Sequence, residues 1–295
     1  MEDKGGRLIG LAPLYFRRSE EGREVARFIG GLELSDYLDF VVEKEMEKEF
    51  FRELLMSLQE MKDNTELDLH FIPEDSRSLS SRNPLFQCKN VIIEVKKEEV
   101  SPGLELPSTW EEYLMRLRQK DRHELIRKTR RAEASGHLVY YRTSRMEDLE
   151  RDVRKFCELH RKSRETKRGF MDERMSKFFE DLAMMLFSGG HLLLNFLTID
   201  GRAVASLFGI RYGKGISIYN SGFDPDFRHI SPGIVLFGHT IREAIDEGCL
   251  FFDFLRGSEH YKYSFGAMDR WLYNMKMSIR RAGHEDNLDG IMYEE

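Results

Sequence analysis

Between Ala203 and Gly266 the chain changes structural type in an order that few folds accommodate. Two strand-like runs, Ala203–Tyr212 and Ile216–Ser221, flank Gly213-Lys214-Gly215, a hairpin signal. A polar loop leads to Ser231-Pro232-Gly233 and then to a helix-period segment over Ile234–Asp246, with Gly248 as its C-cap. The short apolar run Cys249–Leu255 follows. Strand, loop, helix and strand in that order make a βαβ unit whose helix begins on small residues. The first N–H groups of a helix have no intrahelical acceptor, and its dipole favours negative charge there. The helix start around Gly233 therefore suits a phosphorylated cofactor.

Composition narrows the class. With 295 residues, 41% hydrophobic and 33% charged, the chain is globular in composition and has room for two modest domains or one large one. No apolar run approaches the roughly 18 residues a membrane span needs, and MEDKGGRLIG lacks the layout of a secretory signal. A cytoplasmic location is the expectation. Cys88, Cys157 and Cys249 are odd in number and far apart, which suggests neither a disulfide framework nor a metal knuckle. The net charge of −6 hides a basic segment over Arg116–Arg131, RLRQKDRHELIRKTRR. Such a segment is either a solvated helix face or a surface for a polyanion such as RNA or an acidic sugar polymer.

In chain order, Arg7–Phe16 reads as a strand, Val25–Gly30 and Asp36–Val42 continue the β pattern, and Glu45–Leu58 puts Met46, Phe50, Leu54 and Leu58 on one helical stripe. Leu67–Ile72 and Val91–Val95 read as further strands. Ser101–Ser108, with two prolines and a glycine, marks a boundary. The expected units are therefore 1–105, 106–285 and an acidic, frayed tail over 286–295. In the second unit a helix capped by Ser108 or Thr109 runs to about Ala134, a strand covers His137–Thr143, and helices cover Met146–Arg164 and Glu173–Phe187. His191–Ile199 joins the opening hairpin through Asp200-Gly201, and Trp271–Ile279 is the unit's last strand.

That order resembles the acyltransferase fold of the GCN5-related N-acetyltransferase (GNAT) superfamily. The words GGLELSDYLDFVV (Gly30–Val42), LPSTWEEYLMRLRQKDRHELIRKTRRAEASG (Leu106–Gly136), YNSGFDPDFRHISPG (Tyr219–Gly233) and FFDFLRGSEHYKYSFG (Phe251–Gly266) are similar to the CelD/BcsL family. These are acetyltransferase-like proteins of cellulose and exopolysaccharide biosynthesis, related to the FemAB peptidoglycan aminoacyltransferases. The resemblance implies an α/β fold of two tandem GNAT-like units, each a mixed sheet flanked by helices, the first truncated at its N-terminus and the second carrying the better cofactor groove. It implies an acyl-CoA co-substrate, no metal, and a small-molecule or saccharide acceptor bearing an amine or hydroxyl. A FemAB-like enzyme using aminoacyl-tRNA and a non-catalytic scaffold of the same fold are the alternatives.

On this reading Arg228, Ser231, Gly233, Ile234 and Val235 hold the cofactor's pyrophosphate, although Pro232 supplies no N–H and SPG also suits a plain helix start. Asp253, in Phe-Phe-Asp-Phe-Leu, is a carboxylate in a buried strand. It acts either as a general base or as the ion-pair partner of Arg256 or Lys262. Tyr261 is placed to protonate a leaving thiolate, and Lys262 or Arg256 to bind an acidic acceptor or stabilise developing charge. Tyr219, Asn220, Glu259 and the helical His160 complete the acceptor site.

Overall fold

A computed structural model describes residues 1–20, 22–60, 65–88, 91–163, 169–279 and 291–294. The fold is mixed α/β, and the chain forms two compact units, Met1–Ser101 with Arg270–Glu295, and Pro102–Asp269.

The first unit begins with β1 (Gly10–Leu11), β2 (Leu14–Arg18) and β3 (Glu24–Phe28). The single strand expected over Arg7–Phe16 is thus divided at Ala12-Pro13, where proline cannot donate to a ladder. The short helix α1 (Gly31–Leu34) starts from Gly30 at φ 111°. Next come β4 (Val41–Val42), α2 (Glu47–Glu60), β5 (Thr65–Pro73) and β6 (Val91–Val100). Phe50, Leu54 and Leu58 of the expected stripe are buried in the core on one face of the sheet.

The second unit opens with β7 (Gly103–Glu105), α3 (Trp110–Arg116) and α4 (Gln119–Glu133). The sequence predicts one helix to Ala134, but Leu117 and Arg118 take extended ψ values of 145° and 141° and break it. Thr109 does cap α3, accepting from Glu112 N at 3.2 Å. The unit continues through β8 (Leu138–Arg142), α5 (Met146–Ser163), α6 (Glu173–Ser188), β9 (Leu192–Ile199), β10 (Arg202–Tyr212) and β11 (Gly215–Phe223). It closes with α7 (Pro232–Asp246), β12 (Phe251–Asp253) and α8 (His260–Ser264). Asp200 at φ 49° and Gly201 at φ 80° make the tight β9–β10 turn, as the Asp-Gly pair predicts.

The sheet of this unit has the order β7-β12-β11-β10-β9-β8. One face is packed by α5 and α6 around Phe156, Phe179 and Phe208. The other carries a core built from α3, α4, α7 and the segment after β12.

Two strands lie where the sequence reading does not put them. β13 (Trp271–Ile279) pairs antiparallel with β5 and β6 and so belongs to the first unit's sheet, not to the second unit. Its Met275 and Met277, on either side of exposed Lys276, are buried and join the first core. Strand pattern alone does not say which sheet receives a strand. Within the expected frayed tail, β14 (Ile291–Glu294) pairs parallel with β6. The first sheet then reads β14-β6-β13-β5-β3-β2.

Candidate active site

Strands β11 and β12 run parallel but pair over three residues only, from Gly215↔Phe251 to Ser217↔Asp253. Beyond Ser217, β11 continues to Phe223 while β12 stops, so the two strands fork. β11 also slips register against β10: Phe208 faces Asn220 and Gly209 faces Ile218, leaving Tyr219 as an extra residue. Such a bulge lets neighbouring side chains leave the strand on the same side. Tyr219 packs against Phe179 at 5.7 Å between ring centres, and Asn220 Oδ1 lies 2.8 Å from His160 Nε2 on α5. At Gly222 the backbone of α5 comes so close that a Cβ would sit 2.3 Å from the nitrogen of His160. Only glycine permits that approach.

The fork opens into a cleft of about 310 Å³ lined by Ser163, Ser221, Phe223, Arg228, Ser231–Ile234, Phe237, Glu259 and Tyr261. That volume lies at the lower end for small-molecule sites. At one end is the start of α7. Ser231 stands in the left-handed region at φ 54°, which turns the chain sharply into the helix. The first helical N–H to find a backbone acceptor is that of Val235, on the Ser231 carbonyl at 3.2 Å. Those of Gly233 and Ile234 precede it and have no such partner among the described residues. A Cβ on Gly233 would meet nothing within 4 Å.

The helical turn before α7 that carries Arg228 is anchored by Asp224. This buried carboxylate binds Arg202 Nη2 at 2.6 Å, caps the turn through Asp226 N at 3.2 Å, and lies 3.6 Å from Lys162. Burial is the largest single influence and opposes its ionisation, but Arg202, the Asp226 N–H and Lys162 together outweigh it and hold the carboxyl below its ordinary value. Arg228 itself is exposed and makes no ion pair among the described residues.

At the other end, α8 and the residues before it present Glu259 and Tyr261. Tyr261 packs on Phe237 at 5.3 Å and Phe254 at 6.3 Å. Glu259 is the one carboxylate among the lining residues, and its Oε2 lies 2.9 Å from Lys262 Nζ.

Six residues singled out in the sequence therefore meet in the cleft: Arg228, Ser231, Gly233, Ile234, Glu259 and Tyr261. The others lie elsewhere. The Val235 side chain is in the core beneath α7. Tyr219 faces the aromatic cluster under α6, while His160, 1% exposed, and Asn220 bond each other behind β11. Asp253 is 3% exposed and accepts the N–H of Leu255 at 2.8 Å. Lys262 turns inward, and the carbonyl of Arg256 is one of its acceptors. The sequence reading missed Ser163, Ser221, Phe223, Phe237 and the Arg202–Asp224 anchor. Asp224 before Pro225 is a turn-cap signal that finds the anchor; no local signal marks Phe237. Among the described residues there is no group of side chains arranged for a metal ion and no helix long and apolar enough to cross a membrane.

The bulged strand and the open helix start both contribute to the lining of this cleft. Residues 119–263, within the second unit, match the family described as an acetyltransferase (GNAT) domain. The chain is similar in fold to the structure of FemX, at 14% identity and a TM-score of 0.61, over 92% of this chain and 85% of that one. It is similar also to the C-terminal domain of a putative lysylphosphatidylglycerol synthetase from Agrobacterium fabrum (12% identity, TM-score 0.57, 90% and 83% covered). A third such structure is L-PGS from Bacillus licheniformis (12% identity, TM-score 0.56, 91% and 84% covered). No curated protein sequence matches the chain.

Proposed function

We propose that the second unit transfers an acyl group from acyl-CoA to an amine or hydroxyl on a small-molecule or saccharide acceptor, in the manner of the CelD/BcsL proteins of exopolysaccharide and envelope biosynthesis. The observation that carries this reading is the polarity of the cleft. Arg228 and the N–H groups of Gly233 and Ile234 stand at one end, and Glu259 and Tyr261 at the other. The first set fits a pyrophosphate, by charge and by the direction of the helix dipole. The thioester supplies an activated acyl carbon. Glu259 takes the proton that the acceptor loses as its nitrogen or oxygen bonds to that carbon, and the Tyr261 hydroxyl returns a proton to the sulfur as the C–S bond breaks. Holding both partners in one cleft supplies much of the rate without a covalent enzyme intermediate.

Calorimetry with acetyl-CoA and CoA tests the donor end. The wild-type protein is expected to bind both, and Gly233→Asp to bind neither while keeping its melting temperature, because the new carboxylate repels phosphate at an otherwise open position. Undiminished affinity in folded Gly233→Asp would remove the α7 start from the site.

A second reading, with aminoacyl-tRNA as donor, is favoured by α4 and its approach. Arg118 and Arg127 pair with Asp121 and Glu124, but Arg116, Lys120, Lys128 and Arg130 form no ion pair among the described residues. Donor binding that falls steeply with salt, with no affinity for CoA, would select it.

A further inference from the structure

Lys262 is one of the largest fully buried side chains in the protein, 2% exposed. Taking an ammonium out of water costs several kcal/mol unless its protons find acceptors. Here they all do. Nζ donates to the carbonyls of Leu255 at 2.8 Å, Arg256 at 2.6 Å and Gly257 at 2.8 Å, with Glu259 Oε2 at 2.9 Å as the counter-charge. An ammonium has three N–H donors, so three carbonyls leave none for a substrate.

The loop that these bonds gather is one the chain would otherwise avoid. Leu255 stands at φ 58° and Gly257 at φ 103°, and three successive carbonyls converge on one point. A non-glycine residue in that region is strained by roughly 1–3 kcal/mol and persists only where its surroundings enforce it. Space around the carboxylate is equally specified: a Cβ on Gly257 would lie 2.7 Å from Glu259 Oε2.

We propose that Lys262 is a positioning residue for acyl transfer. Its buried ammonium organises the Leu255–Gly257 carbonyls and thereby sets the Glu259 carboxylate in the cleft, without touching the reacting atoms. The kinetic part of this inference rests on the reading of the cleft given above; the ordering of the loop does not.

The test has two arms on the full chain. Without any ligand, hydrogen exchange over residues 255–262 is expected to quicken at least tenfold in Lys262→Met, while β11 and α7 keep their protection. In turnover, Lys262→Met is expected to lower kcat about a hundredfold and change CoA affinity less than threefold, leaving the basic limb of the pH–rate profile in place. In a Glu259→Gln background the same substitution should cost less than threefold, since the two act through one carboxylate. Unchanged exchange, a displaced basic limb, or an undiminished cost in the Glu259→Gln background would each overturn the proposal. Should Lys262→Met not fold, Gly257→Ala keeps the ammonium but crowds Glu259, and should lower kcat about tenfold with CoA affinity intact; a fully active Gly257→Ala protein would count against the idea. Quickened exchange in a protein that binds no acyl-CoA would leave the role of Lys262 in the loop standing and defeat only the assignment of the cleft.

Discussion

The two units contain the same device in two states. In each, a strand is followed by a crossover and a parallel strand that pairs with it over three residues before the two diverge. In the first unit the pairs run from Glu24↔Thr65 to Ala26↔Leu67, and in the second from Gly215↔Phe251 to Ser217↔Asp253. In the second unit the fork opens into the cleft. In the first, the chain between β3 and β5 fills it. The N–H of Leu38 bonds to the carbonyl of Phe71 on β5 at 3.2 Å, and the ring of Phe40 packs edge-on against Phe28 of β3 at 5.1 Å. Phe40 also meets Phe50 and Phe51 of α2 at 5.8 and 5.5 Å. The next residue back, Asp39, is held by the hydroxyls of Ser76 and Ser78, and so pins the plug from the polar side. The two forks thus differ in what fills them: Phe40 packs into the first, and the second borders the cleft.

Removing the plug is the severest test of that contrast. Phe40→Ala deletes a buried ring touched by three others and should destabilise the first unit by about 3–5 kcal/mol, the range for large-to-small changes at aromatic core sites. Chemical denaturation is expected to show this loss with acyl-CoA affinity of the folded protein unchanged. New acyl-CoA binding by Phe40→Ala would mean that both forks are sites and that the plug merely closes one.

The open face of the first sheet offers a smaller test. His70 on β5 reaches Glu98 of β6 through Nδ1, and its Nε2 lies 3.1 Å from Asp68, which also binds Arg27 and Asn274. β13 lies between β5 and β6, so this imidazolium ties together the strands on either side of it. Burial favours the neutral ring, but the two carboxylates outweigh it and raise the His70 pKa from 6.5 to about 9. The same contacts, against burial, hold Asp68 well below the usual carboxylate range. A folded-state pKa raised above the unfolded one gives stability that is complete below about pH 6.5 and is lost as pH rises through about 9. A rise of this size corresponds to roughly 3 kcal/mol, with sharing across the network reducing what one substitution reads. His70→Gln should therefore melt lower than the wild type at pH 6 and converge with it near pH 9.5. A gap that persists at high pH would show a packing role in place of the charge.

How much of this the sequence discloses depends on whether the physics is local. The β9–β10–β11 hairpins, the α7 start and the turn cap at Asp224 follow from glycine, proline and Asx chemistry within a few residues, and Arg228, Ser231, Gly233 and Ile234 beside them line the cleft. The extra residue at Tyr219 changes which side chains share a face, and neither Tyr219 nor Asn220 is among the residues lining the cleft. The destination of β13 depends on partners about 180 to 210 residues earlier in the chain, such as Val95 for Met275 and Asp68 for Lys276. Nothing in WLYNMKMSI encodes that choice. The plug at Phe40 is illegible for the same reason: Asp36–Val42 reads as a strand, and only tertiary packing makes it a filler.

Asp253 separates the two ends of the comparison most finely, because it stands at the last paired residue of β12, where the open fork begins. In sequence it has the marks of a general base, a carboxylate among phenylalanines. In the structure its Oδ1 accepts the N–H of Leu255 two residues on, a side-chain turn that braces the same positive-φ residue whose carbonyl Lys262 holds. It is also absent from the lining of the cleft, where Glu259 stands. An asparagine keeps an oxygen at that position, so Asp253→Asn should retain the Leu255 bond and lose the charge assistance of that bond, about 1 kcal/mol. Turnover per folded molecule should stay within about threefold of wild type, far from the roughly hundredfold or greater loss that removal of general-base assistance brings. Melting curves and single-turnover rates on one preparation decide the matter. A hundredfold slower chemical step at unchanged stability would make Asp253 the base and reduce Glu259 to a binding group. Lower stability with intact turnover would fix it as the brace at the mouth of the fork.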